Sequence, residues 1–223
     1  MGSLQKTIFI VAGEPSGDIH GAKLISAIKK VQPNISFIGH GGNQMAVAGG
    51  TIIEHIDRLA IMGFSEVIQH MPRMIRIMRE TITAIKRIKP DGIILIDYPG
   101  FNLHLAKKIR KQNIPISYFI LPQAWAWKEK RVEIMKTTLD QALSIFPFEK
   151  EWFESRGLPT KFIGHPFVER KPVKENRDSF LKRHSLDPNN PIITLLPGSR
   201  QQEVNQHWPI FLKTFGLLKL LLS

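Results

Sequence analysis

The sequence predicts an α/β fold built on a parallel sheet. Short runs rich in Ile, Leu and Val recur along the chain, and helical patterns separate most of them. That alternation makes βαβ units, whose strands lie parallel. The run GIILID, residues 92–97, is apolar at almost every position, which suits a strand buried on both faces. It stops on Asp97, and Pro99 and Gly100 then break it.

Taken in order, TIFIVA (7–12) is the first buried strand. GEPSGD (13–18) turns it into the helical pattern IHGAKLISAIKKV. Further strands are expected at ISFIG (35–39), TIIE (51–54), GIILID (92–97), IPISYFIL (114–121), QALSIF (141–146) and TKFIG (160–164). Residues 64–88, FSEVIQHMPRMIRIMRETITAIKRI, read as a helix, with a break or a start at Pro72. Residues 166–190 are rich in Pro, Asn and charge, with one helical piece, FLKRH. PIITLLPGSR then restarts the pattern with a buried strand, a Gly turn and an amphipathic helix from about Gln202. The expected organisation is a domain over 4–170, a linker over 171–190, and the first strand and helix of an incomplete second domain over 191–223. One strand and one helix cannot bury a core of their own.

Composition narrows the function. The chain of 223 residues is 43% hydrophobic and 22% charged, ordinary for a soluble protein with a real core. It has no cysteine, which excludes disulfides and thiolate metal sites. No apolar run approaches the roughly 20 residues of a membrane span. The start, MGSLQKTIFIVAGE, lacks the pattern of a signal peptide. The net charge of +12 attracts anions: nucleic acid, an anionic membrane or phosphorylated substrates. No RNA-binding aromatic motif or zinc-finger spacing is present, so nucleic acid is not an expected partner.

Several strand ends carry chemistry. Asp97 lies at the C-terminal end of a central strand, where open α/β sheets bind ligands, although it could simply cap the next turn. In GEPSGD, Gly13 and Gly17 permit close backbone approach and the new helix offers N–H groups; a tight turn with Asp18 as N-cap explains it equally simply. It is not a dinucleotide fingerprint, because the G-x-G-x-x-G spacing is missing. The Trp pair of LPQAWAW (121–127) could stack on a sugar or pack against the sheet. Glu149 in FPFEKEWF (146–153) could meet ligand or support a helix N-terminus, and His165 in GHP (164–166) could meet ligand or be structural. LLPGSR (195–200) has the arrangement of a diphosphate site, with donors at Gly198 and Ser199 and a forked cation at Arg200. In 64–88, Ile68, Met71, Met74, Ile75 and Met78 form an apolar stripe between basic residues, as on an interfacial helix at an anionic membrane; packing of that stripe on the core is the plainer alternative.

GEPSGD, GGNQM (41–45), AIMGFSEV (60–67), IDYPGFN (96–102), LPQAWAW, FPFEKEWF, GHP and LLPGSR, in this order and spacing, closely resemble the lipid-A-disaccharide synthase family. These are inverting GT-B glycosyltransferases of Gram-negative bacteria, and the resemblance runs from Lys6 to about Thr214. It implies a Rossmann-like acceptor domain followed by a nucleotide-sugar domain. It implies transfer of diacylated glucosamine from UDP-diacylglucosamine to the 6-hydroxyl of diacylglucosamine 1-phosphate (lipid X), in lipopolysaccharide biosynthesis. Asp97 would be the general base. Glu14, Ser16, Asp18, Met62, Gly63, Asn102, Gln123, Trp125, Glu149 and His165 would line the substrate cleft. Gly198, Ser199 and Arg200 would hold the leaving diphosphate, with no metal and no cofactor. The resemblance further implies a cytoplasmic enzyme held peripherally at the inner face of the inner membrane. A full member continues well past LLPGSR, so most of the donor half is expected to be absent from this chain. The alternatives are a UDP-sugar 2-epimerase of the same fold and a non-catalytic lipid-binding module.

Overall fold

Period-two burial builds the sheet. In β1 (Lys6–Val11) and the residue after it, Phe9 and Val11 enter one core while Ile10 and Ala12 enter another on the opposite face. Each large side chain so buried contributes about 1.5–3 kcal/mol. A computed structural model of the chain describes residues 6–59, 64–168, 175–198 and 201–222, with backbone alone at 64–70, 201–202 and 219–222. The chain divides into two compact units, Met1–Arg170 and Lys171–Ser223.

In the first unit β1 is followed by α1 (Pro15–Val31), β2 (Ile35–Gly41), α2 (Asn43–Val47), β3 (Gly50–His55), α3 (Ile56–Leu59) and α4 (Phe64–Ile88). Then come β4 (Gly92–Ile96), α5 (Pro99–Ile109), β5 (Ile116–Phe119), α6 (Arg131–Thr138), β6 (Gln141–Ser144), α7 (Pro147–Glu154) and β7 (Thr160–Phe162). The seven strands are ordered β3-β2-β1-β4-β5-β6-β7, and every neighbouring pair is parallel. The chain winds outward from β1 through β2 to β3, then returns to β4 and winds the other way. The strand order therefore reverses between β1 and β4, and their C-terminal ends open a crevice.

All seven expected strands of this unit form, several of them shorter at the C-terminal end. β5 stops at Phe119 because Ile120 takes a φ of 65° and leaves the ladder. The helices α1, α5 and α7 each begin with a Pro three or four residues past the end of a strand, where the missing N–H costs nothing. Pro72 does not break or start α4, as the sequence suggested; it lies inside a continuous helix. Downstream of it Ile77, Thr81 and Ile85 are buried at four-residue spacing, and that packing outweighs one lost hydrogen bond. Among the described residues no helix is long and apolar enough to cross a membrane.

The second unit contains α8 (Arg177–Arg183) and α9 (Gln201–Leu222). Asn176 caps α8 by accepting a hydrogen bond from the Ser179 amide at 2.8 Å, and Arg183 pairs with Glu175 at 2.6 Å. The helix expected after LLPGSR is present, but the buried strand expected before it is not. Residues 191–198 carry no regular structure, and Ile192, Ile193 and Leu196 are exposed. Among the described residues of this unit no strand pairs with the segment, and an apolar run without a partner cannot satisfy its backbone as a strand.

Candidate functional site

The turns after β1 and β4 meet at the reversal point. Gly13 is the residue that lets them meet, because a Cβ there would lie 2.2 Å from the Tyr98 ring. Tyr98 donates its phenol hydrogen to the Leu59 carbonyl at 2.9 Å. Burial, and next the Glu14 carboxylate, push that phenol above its usual pKa, so it stays protonated at neutral pH. Beside it, Ser16 donates to Glu14 Oε1 at 2.6 Å. Glu14, the N-cap of α1, and Ser16 in its first turn are thus joined to one another beside the turn that carries Asp97.

Asp97 and Tyr98 are consecutive left-handed residues, with φ of 42° and 48°. For non-glycine residues that conformation costs roughly 1–2 kcal/mol each. Asp97 is half-buried. Its amide donates to the Phe119 carbonyl at 3.2 Å, which keeps it on the end of the ladder. Its own carbonyl accepts two side-chain hydrogen bonds, from the Tyr118 hydroxyl at 2.5 Å and from Asn102 Nδ2 at 2.8 Å. Asn102 Nδ2 also reaches the Ile96 carbonyl at 3.1 Å. Asn102 is buried, and its Oδ1 finds no partner among the described residues, an arrangement that costs about 1–3 kcal/mol. Asn102, expected from the sequence at the substrate, bonds with its side chain the carbonyls of Ile96 and Asp97.

Asp18 and Glu149 are buried, and both serve helix N-termini. Asp18 does not cap its own helix, α1, whose N-cap is Glu14. It caps α2 across the crevice edge: Oδ1 accepts from the Gly42 and Met45 amides at 2.7 and 3.0 Å, and Oδ2 from Gln44 at 3.0 Å. Glu149 Oε2 accepts from the Ile145 and Phe146 amides, at 3.2 and 3.1 Å, ahead of α7. Its Oε1 accepts from Trp125 Nε1 at 3.0 Å. The Trp125 ring stands edge-on to Phe148, with centroids 5.0 Å apart. Phe148 stacks on Phe146, Phe146 meets His165, and His165 meets Phe167, all within 5.8 Å. Gln123 is exposed on the loop before Trp125. His165 Nδ1 accepts from the Phe167 amide at 3.2 Å, so part of its bonding capacity is structural.

A groove of about 720 Å³ lies between α4 and α5 and runs to the residues just after Asp97. Met71, Met74, Ile75 and Met78 line one wall, and Tyr98, Gly100 and Phe101 lie at the end next to Asp97. Arg79, His104 and Lys108 add positive or titratable groups to the lining. The methionine stripe is therefore split. Met74 and Met78 pack against the core as well as lining the groove, whereas Met71 and Ile75 are about half exposed. A uniform membrane-facing stripe is corrected to one core edge and one open edge.

Met62, Gly63, Ser199 and Arg200 lie outside the described residues, and only the backbone of Ile68 is described. Gly198 has φ of 123°, a value that favours glycine, and a Cβ there would lie 2.6 Å from Glu203 Cβ and Oε2. The Glu203 carboxylate thus lies beside Gly198, one of the residues expected at a diphosphate.

A family model described as Lipid-A-disaccharide synthetase matches residues 8–222. The chain belongs to the lipid-A-disaccharide synthase family. It is 41% identical over 214 residues to lipid-A-disaccharide synthase 1 of Legionella pneumophila (strain Philadelphia 1), covering 96% of this chain and 56% of that protein. It is 36% identical over 214 residues to the synthase of Coxiella burnetii (strain Dugway 5J108-111), covering 96% and 57%. The synthase of Myxococcus xanthus (strain DK1622) is 37% identical over 202 residues, with 91% and 53% covered. The chain therefore spans little more than half the length of these relatives. Among solved structures, UDP-GlcNAc 2-epimerase of Neisseria meningitidis bound to UDP-GlcNAc has a TM-score of 0.51 at 14% identity, covering 71% of this chain and 46% of that one. The Rickettsia bellii UDP-N-acetylglucosamine 2-epimerase has 0.51 at 14%, covering 82% and 52%. At that identity the likeness shows the fold alone. The architecture is the expected GT-B-like, Rossmann-like parallel sheet.

Within a lipid-A-disaccharide synthase family member, the residues that sequence reasoning missed are Tyr98 and Tyr118. Tyr98 was legible in part, since it stands next to Asp97 in a Pro-Gly turn. Tyr118 sits in the middle of a strand run and carried no signal; only strand pairing brings it beside Asp97.

Proposed function

We propose that residues 1–170 form the acceptor half of an inverting glycosyltransferase of lipid A biosynthesis. In this reading diacylated glucosamine passes from UDP to the 6-hydroxyl of lipid X. The observation that carries it is the apolar groove that ends beside Asp97. An acyl chain of the acceptor lies along Met71, Met74, Ile75 and Met78. Arg79 and Lys108 face the acceptor phosphate. The hydroxyl then attacks the anomeric carbon of the donor while Asp97 accepts its proton, and the bond to UDP breaks with inversion. Gly198, Ser199 and Arg200 stabilise the charge on the leaving diphosphate. The net charge of +12 and the half-exposed Met71 and Ile75 support a peripheral position on the inner face of an anionic membrane.

The test is binding of lipid X to the 223-residue chain by equilibrium dialysis. Ile75→Asp is expected to weaken binding about tenfold or more, since a carboxylate beside an acyl chain loses its water. Its melting temperature should stay near that of the parent, because Ile75 is about half exposed. Unchanged lipid X binding by a folded Ile75→Asp variant would place the acceptor elsewhere.

A further inference from the structure

We propose that Tyr118, acting with Asn102, is a positioning residue that holds the turn carrying Asp97 in its left-handed conformation. The inference rests on the reading of Asp97 as the base and adds a residue to it. Two donors from two different elements, β5 and α5, converge on one carbonyl oxygen. Satisfying that oxygen needs only one of them. A second donor fixes the rotation of the peptide plane between Asp97 and Tyr98, that is, ψ of Asp97 and φ of Tyr98, on which the direction of the Asp97 side chain depends. Aspartate tolerates positive φ better than most residues, but tyrosine does not, so the pair persists only because its surroundings hold it. The restraints are on both sides: the Tyr98 hydroxyl is tied to Leu59 and its ring lies on Gly13. Tyr118 is fully buried and stays a donor, because burial, and next the nearby Asp97 charge, raise its phenol well above the usual range. Asn102 leaves its Oδ1 without a partner among the described residues while both carbonyls of the turn are served.

Two experiments test it together. The first measures φ of Tyr98 by NMR in the Tyr118→Phe variant of the 223-residue chain. Tyr98 is expected to leave the left-handed region. The second measures transfer kinetics in the chain extended to the length of its Legionella pneumophila relative. There Tyr118→Phe should lower kcat about 10- to 100-fold, the scale of a small misplacement of a reacting group, with KM for both substrates within about twofold. Thr138→Val is the control, since it deletes a buried hydrogen bond of 2.6 Å on α6, away from the turn. It should leave kcat unaltered. A positive φ of Tyr98 retained in Tyr118→Phe overturns the proposal. So does a loss carried by KM, or an unaltered kcat where Asp97→Asn is inactive. If Asp97→Asn turns over normally while Tyr118→Phe still releases the turn, the base assignment falls and the positioning of the turn stands.

Discussion

Asp97 sits half-buried on a turn of two left-handed residues, and the structure surrounds its backbone with donors. Asp18 and Glu149 also stand near strand ends, yet both are buried and each carboxylate accepts three N–H bonds. In the first region strain is concentrated and the fold holds a turn in place. In the second the side chains themselves hold the fold, by supplying charge to helix N-termini that would otherwise lack partners. Three carboxylates next to Gly or Pro turns read alike in sequence. They differ in what the backbone around them needs.

The largest expected effect comes from Asp97. In the chain extended to the length of its Legionella pneumophila relative, Asp97→Asn should keep the fold and lower turnover about 10²–10⁴-fold, the usual cost of losing a general base. UDP release with lipid X as acceptor measures it, and near-normal turnover would remove the contrast between the two regions. Next come the caps. Asp18→Ala and Glu149→Ala should each destabilise the first unit by about 3 kcal/mol, because three buried or part-buried N–H groups lose their carboxylate acceptor. Urea unfolding of the 223-residue chain reads this directly. If either variant kept its stability but lost lipid X binding, that carboxylate would belong with Asp97.

A smaller, pH-dependent effect sharpens the distinction between strained site and packed support. His40 is buried on β2, and its Nε2 lies 3.0 Å from Thr81 Oγ1 on α4. The Thr81 hydroxyl donates to the Ile77 carbonyl at 2.6 Å, so it accepts from His40, whose Nδ1 finds no partner among the described residues. Burial lowers the imidazole from 6.5 to about 4, even though Glu54 and Glu80 line the same small cavity. Protonation therefore favours the unfolded chain. The His40 contribution is fully present above about pH 6.5 and is lost as pH falls toward 4, by at most about 3 kcal/mol. His40→Gln should flatten that part of the stability profile measured by urea unfolding between pH 4 and 7. An unchanged slope would mean that another group titrates there.

The resemblance recognised in the motifs reached the family, and the residues around Asp97 were legible because Pro, Gly and a lone carboxylate punctuate an otherwise apolar run. The tyrosine behind Asp97 was not, since nothing in ISYF distinguishes a core ring from a ring whose hydroxyl reaches the next strand. The Met stripe was legible as amphipathic, but which of its members face the core and which stay open depended on where α5 lies against α4.

Periodicity and turn residues by themselves located the seven strands of the first unit and the long helices α1 and α4, because hydrophobic alternation and proline restriction act over a few neighbouring residues. GIILI and PIITLLP show the limit of that determination. Both are apolar runs that lead to a Gly turn and a helix. GIILI lies between β1 and β5 and is a strand, whereas residues 191–198 pair with no strand among the described residues and form none. Local pattern can specify which side chains prefer burial. Only the tertiary structure supplies the neighbouring backbone that a strand must bond, and the second donor that holds Asp97 in a conformation its own residues disfavour.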